Sequence, residues 1–485
     1  MNDSGGVATA AAARAATLAQ PIKLSCEVEE ALYEVRKKIY PRAVHGWFAG
    51  WRWSLVWFTQ ILFYGTAWLS WNDRQAVLFD LASRKFYIFG LVLWPQDFIY
   101  LTALLIISAL ALFLFTTVAG RLWCGYACPQ TVYTEIFLWI ERKVEGERVA
   151  RMKLDGGPND SAKIFKKMAK HALWIGFALW TGFTFVGYFT PIRTLGVEFL
   201  TWTLGPWETF WVFFYGFATY GNAGWMREQV CKYMCPYARF QSAMFDKDTM
   251  IITYDRERGE PRGSRGRKVD PKAAGLGDCV DCGICVQVCP TGIDIRDGLQ
   301  YECIGCAACI DGCDQVMDKM GYQPGLIRYS TEHALERHWT AREVWRHVLR
   351  PRTLIYSASL GAVVIALVAA LALRVPLKVD VIRDRGALGR VVEDGMVENV
   401  YRLQIMNTQE QFHRYRIQVR GIEGIEVASE SIAEVPGAST RSFPLRVRVP
   451  PTRGKPGSNK IEFEIHAQNH DSIVVHEKAV FLIPR

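Results

Sequence analysis

Cysteine spacing constrains this chain more than any other feature of its sequence. Eight of the 13 cysteines fall between residues 279 and 313. They form two copies of the pattern C-x2-C-x2-C-x3-C, namely Cys279, Cys282, Cys285 and Cys289, then Cys303, Cys306, Cys309 and Cys313. Pro290 follows the first copy, and Asp314 follows the second. Thiols repeated at such short intervals indicate a metal centre.

This spacing is typical of bacterial two-cluster ferredoxins, which hold two four-iron four-sulfur (4Fe-4S) clusters. A short loop brings three thiolates to three corners of a cubic cluster, and a cysteine of the other copy closes the fourth corner. The crosswise assignment is therefore Cys279, Cys282, Cys285 and Cys313 for cluster one, and Cys303, Cys306, Cys309 and Cys289 for cluster two. A zinc site is the main alternative, because paired C-x2-C motifs also bind zinc. Zinc needs four ligands per ion and no third cysteine at this interval, so the pattern favours clusters and electron transfer.

Five apolar segments are each close to the ~20 residues that a bilayer core requires. These predicted spans are roughly Trp51–Trp71, Phe98–Ala119, Ala172–Thr190, Pro206–Trp225 and Leu354–Leu373. The run Phe86–Pro95 is too short to span, and we expect it to be re-entrant, interfacial or the start of a longer second helix. The sequence therefore predicts a lipid bilayer as the surroundings of this part of the chain.

Lysine and arginine in the loops predict the orientation of the spans. Residues 141–170 hold nine of them, whereas residues 191–205 hold only Arg193. We therefore expect a multi-pass membrane protein with the N-terminus and the clusters in the cytoplasm and the C-terminal region outside, which is the periplasm in a Gram-negative cell. All 13 cysteines lie at or before Cys313. This distribution agrees with the predicted orientation, because an oxidising exterior would oxidise free thiols.

A second cysteine motif occurs twice, once after predicted span two and once after span four. Both copies read C-x-Y-x-C-P and contain Cys124 and Cys128, then Cys231 and Cys235. A spacing of four is expected to place both sulfurs of a copy on one helix face, and the following proline to end or kink that helix. Three interpretations remain open for these membrane-edge cysteines. The first is a soft thiolate site, which could bind Cu(I), an iron–sulfur cluster or zinc. The second is a redox dithiol pair, and the third is simple packing of small side chains.

The remaining segments carry weaker signals. Residues 256–272 are basic, but without interleaved aromatics they predict a flexible linker beside anionic lipid and no nucleic-acid partner. From residue 376 onward, segments such as 401–407, 414–421, 441–450 and 460–469 alternate apolar and polar residues, with Gly and Pro breaks between them. This pattern predicts an all-β immunoglobulin-like sandwich, either a partner-binding module or a passive cap.

Several runs resemble one protein family closely. They are RQAVLFD (74–80), RKFYIFG (84–90), WPQDF (94–98), GRLWCGYACPQT (120–131), WIER (139–142) with EGER (145–148), CDQVMDKMGYQPGLIRY (313–329) and VENVYRLQIMN (397–407). From about residue 40 to its C-terminal domain the chain resembles the FixG/CcoG/RdxA family of cytochrome c oxidase accessory proteins. Asp314 stands where a simple ferredoxin has proline, and an aspartate at this position resembles the pattern of this family.

The resemblance implies an inner-membrane protein that helps to mature the cbb-type haem-copper oxidase. It implies two 4Fe-4S clusters on the eight ferredoxin cysteines, and reduction of Cu(II) to Cu(I), which is a cupric reductase activity. Copper ions, a cytoplasmic electron donor, a copper-transporting ATPase, periplasmic copper chaperones and oxidase subunits are the partners it suggests. Cys124, Cys128, Cys231 and Cys235 match the family's membrane-edge motifs, and we expect them to act in redox or copper chemistry.

Together these features predict a multi-domain chain with a five-helix membrane domain, a cytoplasmic two-cluster ferredoxin-like insert and a C-terminal sandwich. The expected parts are a cytoplasmic tail (1–45), four spans (46–226), a cytoplasmic segment (227–353) with the ferredoxin-like domain at about 270–325, the fifth span (354–375) and the sandwich (376–485). Two other functions remain open. One is a quinol-linked electron conduit of the NapH type, and the other is a non-enzymatic assembly scaffold with structural clusters.

Overall fold

A computed structural model describes residues 38–271, 273–384, 389–392, 395–468 and 473–484. Most of the predicted N-terminal tail, including Cys26, therefore lies outside the described residues. The chain divides into two units, Met1–Tyr40 and Pro41–Arg485. In the first unit the Lys38 ammonium lies over the Tyr40 ring, 4.9 Å from its centroid. All features below belong to the second unit.

The first part of the second unit is helical, apart from one small sheet region. Its helices are α1 Trp47–Thr66, α2 Phe98–Ala119, α3 Leu122–Tyr126, α4 Pro129–Glu145, α5 Arg148–Gly156, α6 Ser161–Val186, α7 Ile192–Leu200 and α8 Pro206–Thr219. Two π-helical segments follow, Tyr220–Met226 and Val230–Met234, and then α9 Pro236–Met244. Between α1 and α2 lie strands β1 Ser70–Trp71, β2 Arg74–Gln75, β3 Val77–Asp80, β4 Lys85–Ile88 and β5 Leu91–Leu93.

The second part carries the clustered cysteines and the sandwich. Its first elements are β6 Ile251–Tyr254, α10 Arg256–Gly259, α11 Ile284–Gln287, α12 Ala308–Met320, β7 Ile327–Ser330, α13 Glu332–Glu336, α14 Ala341–Val348 and α15 Pro351–Ala372. The sandwich strands are β8 Leu377–Arg383, β9 Arg390–Val391, β10 Val397–Asn407, β11 His413–Arg420, β12 Glu426–Val427, β13 Ile432–Val435, β14 Ser439–Val449, β15 Gly457–Ala467 and β16 Val474–Ile483.

All five predicted spans fall on helices, but these helices differ in character. Among the described residues, two are long and apolar enough to cross a membrane, Pro95–Ala119 and Pro351–Ala372. Their apolar side chains, such as Ile99 and Ile365, are mostly exposed, as lipid-facing side chains would be. α1 contains Arg52, α6 begins with a lysine-rich half, and α8 has only 14 residues. The membrane domain of five spans therefore stays a prediction.

Two expectations for the helical part are wrong. The run Phe86–Pro95 is not the start of a longer α2, because β4 and β5 pair there in the antiparallel sheet that they form with β3. A re-entrant or interfacial position of this run stays a prediction. Its aromatic and branched side chains favour the extended backbone. The sulfurs of a C-x-Y-x-C-P copy also do not share one helix face, since Cys124 lies in α3 and Cys128 precedes α4. The proline begins this next helix, where its missing N–H leaves no hydrogen bond unmade.

The loops gather at two opposite ends of the helices. At one end, the Gln75 side chain donates to the Gly187 carbonyl and accepts from the Ile192 N–H, both at 2.8 Å. At this same end Asp97 is buried and forms an ion pair of 2.8 Å with Arg374, just beyond α15. The sandwich joins here through an ion pair between Arg74 and Glu410. The cysteine-rich segment lies at the other end.

The C-terminal region is a two-sheet antiparallel sandwich, as predicted. One sheet has the order β12-β14-β10-β8 with β9 paired to β10, and the other has the order β13-β11-β15-β16. Side chains alternate between the core and solvent along strands such as β11. Tyr401 and Phe463 meet across the core with ring centroids 5.1 Å apart. Burial of one face of each sheet stabilises this unit.

Candidate iron–sulfur and thiol site

The two copies of the ferredoxin motif fold into matching loops. In the first copy, Asp281 and Gly283 flank Cys282 with φ of 51° and 63°. In the second copy, Gly305 and Ala307 flank Cys306 with φ of 68° and 58°. Left-handed residues on both sides of the middle cysteine curl each loop tightly, which brings its three thiols to one side. The sequence repeat is therefore also a repeat of backbone conformation.

The second loop and Cys289 share one cavity. This small cavity is lined by Cys289, Cys303, Cys306 and Cys309, the four cysteines assigned to cluster two, and also by Cys285. Isoleucines 252, 293, 295 and 304 form much of the remaining wall. A thiol-lined cavity with an apolar wall is a suitable cradle for an iron–sulfur cluster.

The thiols of cluster one also lie near each other. Cys279 and Cys285 are buried, Cys282 is exposed, and Cys313 packs beside them from α12. The Cys313 thiol lies within electrostatic range of all three first-loop cysteines. Among the described residues, no three Cys, His, Asp or Glu side chains converge on a single ion. Cluster ligands need no such convergence, because each thiolate binds a different iron atom.

Burial raises the pKa of these thiols. The pKa of Cys285 rises to about 11, and those of Cys303 and Cys313 rise to about 12. Desolvation is the largest cause, since a charged thiolate loses its hydration inside the domain. Iron must displace these protons when a cluster forms, so cluster assembly releases protons.

The membrane-edge cysteines lie together at the cluster end of the helices. Cys128 and Cys235 are the N-cap residues of α4 and α9, and Cys231 lies in the second π-helical segment. All four membrane-edge cysteines are half-buried. Burial raises the pKa of Cys124 to about 12 and that of Cys231 to about 11, and neighbouring thiols add to both shifts. The two copies of the C-x-Y-x-C-P motif thus bring two thiol pairs to one place.

These cysteines adjoin the cluster-two loop directly. Cys124 and Cys231 pack against an apolar group that includes Cys306 and Ile304. The backbones touch at Gly125, where a Cβ would lie 2.7 Å from the Gly305 carbonyl oxygen and 2.8 Å from the Cys306 nitrogen. Only glycine allows such a close approach. The structure therefore places the first C-x-Y-x-C-P copy and the second ferredoxin loop, which are more than 170 residues apart in the chain, side by side.

Two charged residues join the cysteine-rich segment to the helices. Arg121 is buried, and its guanidinium donates to the carbonyl oxygens of Tyr301 and Ala238 and to the Ser242 hydroxyl at 2.7 Å. Asp311 of α12 accepts hydrogen bonds from the backbone N–H groups of Phe48 at 3.2 Å and Ala49 at 2.7 Å. Asp311 thereby satisfies donors of the first turn of α1, which have no partner within that helix.

Asp314 has a structural role where a simple ferredoxin has proline. Its carboxylate accepts a hydrogen bond of 2.8 Å from the Gly325 N–H, and so fixes the turn before β7. Burial raises the pKa of this carboxyl group. No pattern in the sequence predicts a role for Arg121, Asp311 or Gly125. Arg121 and Gly125 lie in the run 120–131, but only the tertiary contacts assign them a function.

Family comparisons cover both cysteine regions and the sandwich. A profile described as a 4Fe-4S dicluster domain matches residues 226–332, which include Cys231, Cys235 and the eight clustered cysteines. A profile described as a 4Fe-4S binding domain matches residues 101–146, which include Cys124 and Cys128. A third, described as an IG-like fold at the C-terminus of FixG, matches residues 367–484.

Whole-chain comparisons give similar relatives in three bacteria. The nitrogen fixation protein FixG of Rhizobium meliloti is 37% identical over 94% of this chain and 94% of its own length. The protein RdxA of Cereibacter sphaeroides is 39% identical over 88% of this chain and 92% of its own length. The ferredoxin-type protein NapH of Haemophilus influenzae is 25% identical over 45% of this chain and 68% of its own length.

Proposed function

The chain belongs to the FixG/RdxA family of iron–sulfur electron-transfer proteins, and from that premise we propose that it is a membrane-bound cupric reductase, which reduces Cu(II) to Cu(I) for assembly of the cbb-type cytochrome c oxidase. The observation that carries this proposal is the contact between the membrane-edge cysteines and the cluster-two loop at Gly125 and Cys306. Cys124 and Cys231 pack beside Cys306 in this contact, which supports a role for the membrane-edge cysteines as soft sulfur ligands next to the predicted electron carrier.

The chemistry of the residues fits this reaction. When bound, the two clusters supply single electrons, and reduction of Cu(II) consumes one electron per ion. Cu(I) is soft and prefers thiolate ligands, so Cys124, Cys128, Cys231 and Cys235 suit the product better than the substrate. Because the pKa of Cys124 and of Cys231 is raised, these thiols are protonated until a metal ion displaces the protons. The site is thus suited to hold Cu(I) after the electron has been transferred.

The two-ended arrangement supports the proposed topology. The exposed apolar surfaces of α2 and α15 lie between the cysteine-rich end and the end that carries the sandwich. With the bilayer around these helices, the clusters face the cytoplasm and the sandwich faces the periplasm. A reductase placed so can take electrons from the cytoplasmic side and hand Cu(I) to partners of the export route.

The test uses anaerobic protein whose clusters are reduced first and freed of excess reductant. After addition of Cu(II), we expect cluster oxidation and about two Cu(I) per chain, one for each cluster. In the Cys124→Ser/Cys231→Ser double variant, Cu(I) formation should slow about tenfold or more at unchanged cluster absorbance, because soft ligands are lost. Cys26→Ser is the matched control, since Cys26 lies outside both motifs.

Two results would contradict the proposal. Clusters that stay reduced in the presence of Cu(II) would remove copper as the acceptor. Unchanged Cu(I) formation in the double variant would remove the membrane-edge cysteines from the reaction. The scaffold alternative predicts clusters that cannot be reduced, or full oxidase maturation by a variant without clusters.

A further inference from the structure

A large cavity lies beside the cluster-two loop and has no part in the proposed copper chemistry. Its volume is about 1190 Å³, and its walls come from α1, α4 and α6 and from the segment before α1. At its inner end the walls are Val288, Pro290 and Ala308 of the cysteine-rich segment. Pro290 and Ala308 directly follow and precede the cluster-two ligands Cys289 and Cys309 in the chain. The cavity therefore extends from the helices to the edge of the predicted cluster.

One part of the cavity is apolar and aromatic. Val56 and Trp57 of α1, together with Phe177 and Trp180 of α6, line it at the level of the helices. Trp57 and Trp180 are also exposed on the outer surface, where the proposed bilayer would surround them. An aromatic-walled cavity open towards lipid suits a flat ring with an apolar tail.

The other part of the cavity contains two buried polar atoms without a hydrogen-bond partner. Arg52 Nε and Gln60 Oε1 are buried and accept or donate no hydrogen bond among the described residues. The guanidinium of Arg52 is also without an ion pair there, although Glu135 lies within electrostatic range. Burying such atoms without hydrogen bonds is unfavourable, so a ligand that supplies both an acceptor and a donor would be favoured.

A narrower cavity continues from this polar part towards the thiols. It has a volume of about 50 Å³, and Arg52, Val56 and Glu135 line both cavities. Its far wall contains Cys231 and Cys306. Arg52 also lies within electrostatic range of the Cys306 thiol. A molecule bound at Arg52 would therefore lie next to the predicted cluster two.

From this arrangement we infer that the large cavity binds a lipid-soluble hydroquinone, which donates electrons to cluster two. A hydroquinone ring has two hydroxyl groups, one to accept a hydrogen bond from Arg52 and one to donate to Gln60. Its oxidation breaks two O–H bonds, forms the quinone, and releases two electrons and two protons. Both electrons enter at cluster two and one passes on to cluster one, while one proton goes to the Glu135 carboxylate and the other goes to water at the cavity mouth. The inference rests on the proposed function only in requiring clusters that accept electrons.

Binding can be measured without any turnover. Decylubiquinone is titrated into the full-length, cluster-containing protein in detergent, and quenching of tryptophan fluorescence is followed, since Trp53, Trp57, Trp139 and Trp180 line the cavity. We expect saturable quenching that dodecanol does not compete away. Arg52→Gln should raise the Kd about tenfold or more, because a hydrogen bond from a charged group is lost. Arg193→Gln, an exposed arginine at the other end of the helices, should leave the Kd unchanged.

A second variant keeps the test decisive if Arg52→Gln folds poorly. Gln60→Leu removes the other polar group at similar volume, and should also weaken binding while the cluster absorbance stays at the wild-type level. Quenching that does not saturate, or that dodecanol competes away equally well, would show a cavity for acyl chains and overturn the inference. The inference would also be overturned if both variants bound decylubiquinone as tightly as wild type.

Electron donation is tested separately with anaerobic decylubiquinol and no copper. We expect one hydroquinone per chain to reduce both clusters. The reduction should be slower in Arg52→Gln than in wild type, whereas dithionite should reduce the clusters of the variant and of wild type equally. Binding without cluster reduction would overturn the donor role. If hydroquinone reduces the clusters but Cu(II) does not oxidise them, the copper proposal fails and this inference stands. If Cu(II) oxidises the clusters but hydroquinone does not reduce them, this inference fails and the copper proposal stands.

Discussion

Asp311 allows a quantitative test of how the cysteine-rich segment is held against the helices. Its buried carboxylate accepts two backbone hydrogen bonds from the first turn of α1, at 3.2 Å and 2.7 Å. A helix N-cap contributes about 1 kcal/mol, and each hydrogen bond to a charged group contributes about 1.5–3 kcal/mol. Loss of the carboxylate in Asp311→Ala leaves both N–H groups without an acceptor, but it also removes the cost of burying a charge. We therefore expect about 3 kcal/mol of local destabilisation.

Hydrogen–deuterium exchange of the full-length protein measures this local free energy. A change of about 3 kcal/mol corresponds to roughly 100-fold faster exchange of the Phe48 and Ala49 amides. Asp311→Asn retains one acceptor oxygen, so we expect a local destabilisation of about 1 kcal/mol and roughly fivefold faster exchange of these amides. Peptides that cover residues 46–50 report it directly.

Asp318 provides the matched control, because it lies on the same helix as Asp311 and is exposed. Asp318→Ala should leave the exchange of these peptides unchanged. If Asp311→Ala and Asp318→Ala exchange at the same rate, the contact does not hold α1 against the cysteine-rich segment. The docking would then depend on the other contacts, chiefly those of Arg121 and Gly125.

Two further predictions concern other contacts of the chain. Gly125→Ala places a methyl group 2.8 Å from the Cys306 nitrogen and should lower the iron content of cluster two, measured by iron and sulfide analysis. Gly221→Ala, where a Cβ meets no atom of the described residues within 4 Å, should keep the full iron content. In the sandwich, burial alone would raise the pKa of Glu398, but hydrogen bonds from Arg390 and Arg448 lower it overall. Its stabilising contribution is therefore present above the ordinary Glu pKa of about 4.3 and is lost as the pH falls through the lower folded-state value. Glu398→Gln should lower the melting temperature of the sandwich at pH 7, by the equivalent of about 2 kcal/mol, and the gap to wild type should close in acid; a gap independent of pH would contradict this.

The sequence predicted the parts of the site that local spacing determines. The cysteine repeat indicated two matching loops, and the positive φ values around Cys282 and Cys306 show that repeat in the backbone. Period-two alternation predicted the sandwich, because each strand buries one face. The resemblance to FixG and RdxA is confirmed by relatives that match most of the chain.

Features that depend on contacts distant in sequence were not predictable in the same way. Cys124 and Cys128 would share a face only on one continuous helix, whereas Pro129 starts a new one. The strands within Phe86–Pro95 were missed because a short apolar run has no period that separates helix from strand. Arg52 is one charge within an apolar span, and its meaning emerges only where the large cavity meets Cys306.

The ion pair between Asp97 and Arg374 has a consequence for how the chain is assembled in the membrane. Arg374 and Lys378 follow α15 and, in the proposed topology, must cross to the periplasm, which the positive-inside rule disfavours. Asp97 contacts both of them from the beginning of α2. Because Asp97 is synthesised 277 residues before Arg374, its carboxylate would in that topology already be in position when the two cations emerge. An early helix would thus serve as the counter-charge that lets the last helix insert in its disfavoured orientation and carry the sandwich across.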